Sequence, residues 1–148
     1  MKPKKTLVVL ANDGQARILE NEAPGKGLVE NEKLAPALVA ETEAERRDRR
    51  GRSNAAPGMA RHAFDPPRSE QEHDEIEFAK TVVAKAEQRF VDGGFDRVVL
   101  VAAPKTLGML RDHLPKVLRD ALVADVPKDL LKKRPDEVVK LLEDTILL

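Results

Sequence analysis

With 148 residues, 41% hydrophobic and 35% charged, the chain has a globular composition and the length to bury about 70% of its unfolded surface, so a single domain over 1–148 is expected. The absence of Cys excludes a disulfide framework, a thiolate metal site and a cysteine nucleophile, and suits a reducing, cytoplasmic setting. Lys and Arg number 26 and so do Asp and Glu, which excludes a global field drawing in nucleic acid and makes the placement of charge more telling than its sum.

The start, Met1-Lys2-Pro3-Lys4-Lys5, is basic, but the apolar run behind it, Leu7 to Ala11, is too short for a signal-peptide core or a membrane span. Lys4 to Ala11 instead reads as a central strand: nearly continuous, apolar and rich in β-branched residues. Asn12-Asp13-Gly14 then marks a hairpin turn, and Gln15 to Glu20 alternates as a strand with one exposed face. Pro24-Gly25-Lys26-Gly27 makes a second turn before an alternating stretch, Leu28 to Leu34, predicted as a third strand. The three form an antiparallel meander.

Periodicity stops over 41–67, where Arg, Gly, Ser, Asn and Pro take over, and a long basic loop is expected there. From Arg46 to Arg68 seven Arg face only Asp48 and Asp65, while the next stretch carries Glu70, Glu72, Asp74, Glu75 and Glu77. A basic loop is thus joined to an acidic helix start. Ser69 and Glu72 fit a capping box, Ala79, Val82, Val83, Ala86 and Phe90 form one apolar face, and Asp92-Gly93-Gly94 ends the helix.

Arg97 to Ala103 repeats the buried-strand signature and leads through Pro104 into a helix with Leu107, Leu110 and Leu114, restarted at Pro115 with Val117, Leu118 and Ala121. Leu122 to Val126 is a last short strand, and Pro135-Asp136-Glu137 opens a final helix whose Val138, Leu141, Leu142 and Thr145 are expected to face inward. A crossover helix implies parallel pairing with right-handed connection. The predicted fold is therefore α/β: a mixed five-stranded sheet in the ribonuclease-H-like order 3-2-1-4-5, with helices packed on it and the long basic loop preceding the first long helix.

Such an order invites a metal-dependent nuclease, which needs three or four converging carboxylates. Asp13 lies in a turn beyond the first strand and Asp96 precedes the fourth, so no such set is legible. His62, Asp65 and His73 lack the helical-turn spacing of a metal site. No Ser or Thr stands in a nucleophile elbow. No catalytic residue, metal or cofactor is assigned.

The run Arg46-Arg47-Asp48-Arg49-Arg50-Gly51-Arg52-Ser53-Asn54 carries the strongest functional signal, since clustered Arg in a loop neutralises phosphates. Arg46, Arg47, Arg49, Arg50, Arg52, Asn54 and Arg61 are the candidate nucleic-acid contacts. With no Trp or Tyr and only Phe64 nearby, base stacking is poorly supplied, so a solvated or internally paired charge run is the competing reading. Lys105 and Thr106 sit where a parallel strand feeds a helix N-terminus, a candidate anion site. The plainer alternative is that Thr106 caps the helix.

The ordered set of motifs resembles the bacterial family of proteins required for attachment to host cells, a branch related to archaeal and eukaryotic release factors. The resemblance rests on Val9 to Ile18, Asp48-Arg49-Arg50-Gly51-Arg52, His73 to Phe78 with Ala79-Lys80, Phe95 to Pro104, Leu107-Gly108-Met109-Leu110-Arg111 and Val126 to Leu130. It implies the sheet of a release-factor central domain, with the basic loop where release factors present a Gly-Gly-Gln tripeptide to peptidyl-tRNA. Here that loop reads Gly51 to Met59 without a Gln, and Gly93-Gly94-Phe95 follows the helix instead of preceding it. The expectation is a non-catalytic, translation-related module whose loop docks on ribosomal RNA or tRNA. The alternatives are a protein-interaction domain indirectly required for attachment, and a nuclease or peptidyl-tRNA hydrolase.

Overall fold

Six consecutive buried residues, Thr6–Ala11, form β1, the strand on which the rest of the molecule is built. In the computed structural model, residues 2–42, 44, 45, 48 and 67–148 are described, with side chains of the long helix from Glu70 onward. β1 pairs antiparallel with β2 (Ala16–Asn21). It pairs parallel with β4 (Arg97–Ala102), with all six residues in register. β3 (Val29–Glu30) flanks β2, and β5 (Leu122–Val126) flanks β4 in parallel. The sheet order is β3-β2-β1-β4-β5, as the pattern of continuous and alternating strands predicts.

The hairpin between β1 and β2 is closed by Asn12, whose Oδ1 accepts from the amides of Gly14 and Gln15 at 2.8 and 2.7 Å. An Asx turn of this kind frees the neighbouring backbone from strand pairing and fixes the register behind it. The third strand is shorter than the alternation over Leu28 to Leu34 predicts. Asn31 donates its amide to Ile18 O at 2.8 Å and then accepts from Leu34 N through Oδ1 at 3.1 Å. That side chain competes with the ladder, and the chain turns into a 3-10 segment, Ala35–Leu38, with Pro36 in its first turn.

α1 (Pro67–Asp92) crosses from β3 to β4. It begins two residues before the capping box that Ser69 and Glu72 predict; Pro67 takes the first helical position, where a missing N–H costs nothing, so Ser69 lies inside the first turn. Its C-terminus is closed by a Schellman arrangement: Phe95 N donates to Phe90 O at 3.0 Å and Gly94 N to Val91 O at 3.3 Å. Gly94 has φ +67°, and the rings of Phe90 and Phe95 lie 6.4 Å apart across the closed turn.

α2 (Pro104–Asp112) and α3 (Lys116–Ala121) follow β4, and α4 (Pro135–Leu141) follows β5. Side chains of alternate strand residues separate two cores. Leu7, Val9, Ile18, Val98 and Leu100 pack with Val82, Val83, Ala86 and Phe90 of α1 and with Leu107, Leu110 and Leu118. Val8, Leu10, Leu19, Val99 and Val101 pack with Leu130, Leu131, Val138, Leu142 and Ile146. On α4 and in the turns that follow it the expected inward face is too wide: Leu141 is 44% exposed and Thr145 is also exposed, while Val138, Leu142 and Ile146, four residues apart, are buried. At the β5 edge Val98 pairs with Leu122 but Val99 with Ala124, leaving Val123 as a bulge residue, 51% exposed. The bulge disrupts a ladder that another strand would otherwise extend.

Candidate functional site

β1, β4 and β5 run parallel, so their carboxyl ends lie along one edge of the sheet. That edge also receives the chain on its way to the Arg-rich segment: Gln15 pairs with Val39, and Ala40 N donates to Gly14 O at 2.9 Å. Thr42 and Glu45 then form a reciprocal cap, with Thr42 N donating to Glu45 Oε2 at 2.8 Å and Glu45 N to Thr42 Oγ1 at 3.2 Å. Ala44, Glu45 and Asp48 have helical backbone. Most of the loop predicted over 41–67 lies outside the described residues, and α1 begins at Pro67. Arg46, Arg47, Arg49, Arg50, Arg52, Asn54 and Arg61 lie outside the described residues, as do His62 and Asp65.

Between these two ends lies an open groove of about 530 Å³, lined by Val39, Ala40, Glu41, His73, Asp74, Glu77, Phe78 and Thr81. Three carboxylates make its wall acidic, and Phe78 supplies an apolar floor. Glu77 is held by Lys80 at 3.3 Å, and the Thr81 hydroxyl donates to Glu77 O at 3.1 Å. His73 and Thr81 are eight residues apart on one helix, about 12 Å along the axis, so they do not form a nucleophile–base pair. No group of three or more His, Asp or Glu able to hold a metal occurs among the described residues.

Lys105 and Thr106 lie in the first turn of α2, as the sequence places them, but the helix starts earlier than a Thr106 cap requires. Ala103 is the N-cap residue, with no side-chain cap bond, and Pro104 is the first helical residue. Lys105 Nζ lies 3.2 Å from Glu75 Oε2, a carboxylate of α1 only 9% exposed. The structure thus brings the Lys105 ammonium to an acid, a pairing that sequence separation hides.

Two further arrangements escape sequence reading. Arg17 donates through Nε and Nη2 to Glu30 and through Nη1 to the carbonyls of Leu131 and Lys133, both at 2.6 Å, tying β2 and β3 to the loop after β5. At the opposite end, Lys5 Nζ sits 4.7 Å above the Phe95 ring and donates to Gly93 O at 2.7 Å.

No helix among the described residues is long and apolar enough to cross a membrane. No curated protein sequence matches the chain. Among solved structures, the crystal structure of archaeal translation termination factor aRF1 is similar, with a TM-score of 0.59 at 14% identity. The likeness covers 96% of this chain and 35% of that one, so the chain spans about a third of that protein's length and shares its fold there. The family model described as bacterial archaeo-eukaryotic release factor family 12 matches residues 5–142, nearly the whole of the sheet and its helices, and the chain belongs to that family.

Proposed function

We propose that this protein is a non-catalytic, translation-related module of the cytoplasm that binds ribosomal RNA or tRNA through the arginines preceding α1. The observation that carries the reading is the placement of charge: in a chain of zero net charge, Arg46, Arg47, Arg49, Arg50, Arg52 and Arg61 fall together in the segment between β3 and α1. Guanidinium groups so gathered release counterions from a phosphate backbone, a driving force that needs no base recognition. Membership of a release-factor-type family supports a ribosomal setting. The missing Gln argues against peptidyl-tRNA hydrolysis.

The test is sedimentation with ribosomes and with free tRNA at low and high salt, comparing wild type with the combined Arg49→Ala, Arg50→Ala and Arg52→Ala variant. Salt-sensitive association of the wild type, lost in the variant, is the expected result; no association at any salt overturns the reading.

A second reading is a protein-interaction domain, required for host attachment only indirectly. The groove beside α1 supports it, because its carboxylates beside Phe78 offer a peptide both polar and apolar contacts. Binding of Arg-containing peptides, abolished by Glu77→Lys while tRNA binding persists, would put this reading first.

A further inference from the structure

We infer that the loop between β5 and α4 is a second RNA-backbone contact surface, in which Lys128, Lys132 and Lys133 engage phosphates. This rests on the RNA-binding reading above and adds to it a fixed surface distinct from the Arg-rich segment. The loop is anchored from within. Leu130 and Leu131 are buried in the core on that face of the sheet, at 6% and 7% exposure, while the three lysines on either side of them are exposed. Its backbone is held by Lys128 N to Val126 O at 2.9 Å, Lys133 N to Leu130 O at 3.0 Å and Leu131 N to Asp129 Oδ1 at 3.2 Å. Arg17 then fixes the carbonyls of Leu131 and Lys133 from the neighbouring strand. Such a loop presents its cations without the ordering cost that a flexible segment pays on binding.

The chemistry of the patch selects phosphate over a protein partner. None of the three ammonium groups has a carboxylate within 4.0 Å among the described residues, in contrast to Lys80, Lys105, Lys116 and Arg134. The nearby acids are engaged: Asp129 accepts from Leu131 N, and Asp136 and Glu137 hold Arg134. No aromatic residue occurs from Leu122 to Leu148. The patch therefore lacks both the aromatic anchor of a protein hot spot and the ring on which a base would stack, leaving non-specific contact with a backbone.

The lysine loop and the entry to the Arg-rich segment share one edge of the sheet. The loop leaves β5 at the carboxyl edge of the parallel strands. The chain entering the Arg-rich segment is fixed to the same edge by the Gln15–Val39 bridge, two residues from Arg17. Leu38, just before that bridge, is buried in one core, and Leu130 and Leu131 in the other, so the chain entering the Arg-rich segment and the lysine loop approach the edge from opposite faces of the sheet.

The test is fluorescence anisotropy of labelled tRNA titrated with the full chain at several salt concentrations, comparing wild type, the combined Lys128→Gln, Lys132→Gln and Lys133→Gln variant, and the Arg49/Arg50/Arg52 alanine variant. An unchanged melting temperature confirms that the lysine variant folds. The expected result is a slope of log affinity against log salt shallower by about 2 to 3 in the lysine variant, with affinity near 0.1 M salt reduced roughly ten- to hundredfold. If the arginine variant loses binding while the lysine variant matches wild type, this inference falls and the RNA reading stands. Should the lysine variant alone lose binding, the surface is upheld and the Arg-rich segment is not. If wild type does not bind tRNA at low salt, or binds poly-glutamate equally well with the same dependence on the lysines, the inference is overturned.

Discussion

Arg89, on the last turn of α1, donates through Nε and Nη2 to the two carboxylate oxygens of Glu20 on β2, at 2.7 and 2.9 Å. The fork-to-fork geometry joins the C-terminal end of the long helix to the strand beneath it across 69 residues of sequence. Glu20 also accepts from Asn31 Nδ2 at 2.7 Å, so one carboxylate holds the helix, β2 and the turn after β3.

This arrangement sets an acid limit on stability. The Arg89 hydrogen bonds hold the Glu20 carboxyl below its ordinary value of 4.5, against the opposing effect of burial. A group depressed in the folded state contributes stability that is fully present above its unfolded pKa and is lost as pH falls through the lower folded value. The stability contributed by Glu20 is therefore expected intact at pH 6 and progressively lost below about pH 4.5. Urea unfolding of wild type and Glu20→Gln from pH 3 to pH 7 checks this: the variant is less stable at neutral pH, and the difference shrinks toward pH 3. A constant difference would assign the effect to packing instead of ionisation.

The closure of α1 makes a second demand. Gly94 has φ +67°, a conformation that costs an L-residue about 1 kcal/mol or more. Gly93 is restricted for another reason: a Cβ there would lie 2.4 Å from Phe95 Cε2 and 3.0 Å from Arg89 O. Gly94→Ala is expected to cost about 1–2 kcal/mol by conformation alone. Gly93→Ala is expected to cost about 1–3 kcal/mol by displacing Phe95 from its stack on Phe90. Combining Gly93→Ala with Phe95→Ala separates the causes, because the part of the Gly93 effect due to the ring vanishes once the ring is gone, leaving only the contact with Arg89 O.

Much of this fold is legible because its signals are local. β1 and β4 are continuous apolar runs, and both lie inside the sheet with helices or the C-terminal segment on each face. β5 runs from Leu122 to Val126 as its composition predicts. Where local signals compete, prediction slips: Asn31 looks like one position in an alternating strand, yet its side chain redirects the backbone. The charge cluster of the Arg-rich segment is visible in one dimension. The Arg17 clamp is not, since its partners Leu131 and Lys133 stand more than a hundred residues away and contribute only backbone carbonyls.

Adjacent leucines at the C-terminal end of α4 test the corrected face. Leu142 is 1% exposed and Leu141 is 44% exposed. Leu142→Ala is expected to cost about 2–5 kcal/mol through lost burial and the cavity left behind. Leu141→Ala is expected to stay within about 0.5 kcal/mol, helped by the higher helix propensity of Ala. Equal losses in urea unfolding would mean that the wider face is the buried one.

Arg17 is expected to control the order of the loop after β5 more than the stability of the sheet. Its side chain is 13% exposed and supplies donors to one carboxylate and two carbonyls. Lysine keeps the charge but cannot reproduce a planar fork reaching both sides. Arg17→Lys should therefore retain the Glu30 ion pair in part while releasing Leu131 and Lys133. Amide exchange distinguishes the two: the Lys133 amide, bonded to Leu130 O at 3.0 Å, should lose protection in the variant while the amides of β1 keep theirs.

The pairing of Lys105 with Glu75 bears on whether the start of α2 takes an anion. Pro104 removes one of the amides a helix N-terminus would offer, and the Glu75 carboxylate already sits 3.2 Å from the Lys105 ammonium. An incoming phosphate must compete with that carboxylate for the same cation and also meet its negative charge at close range. Wild-type protein is therefore expected to show no rise in melting temperature with added phosphate beyond that produced by sulfate-free salt at equal ionic strength. Glu75→Gln keeps the shape of the side chain and removes the charge, freeing Lys105 beside the amides of Lys105 and Thr106. In that variant phosphate should raise the melting temperature in a saturable manner, and Lys105→Met in the same background should abolish the rise. Equal saturable stabilisation of wild type and Glu75→Gln would instead establish that the ammonium serves an anion despite its ion pair, and that the strand-to-helix junction binds phosphate in the native chain.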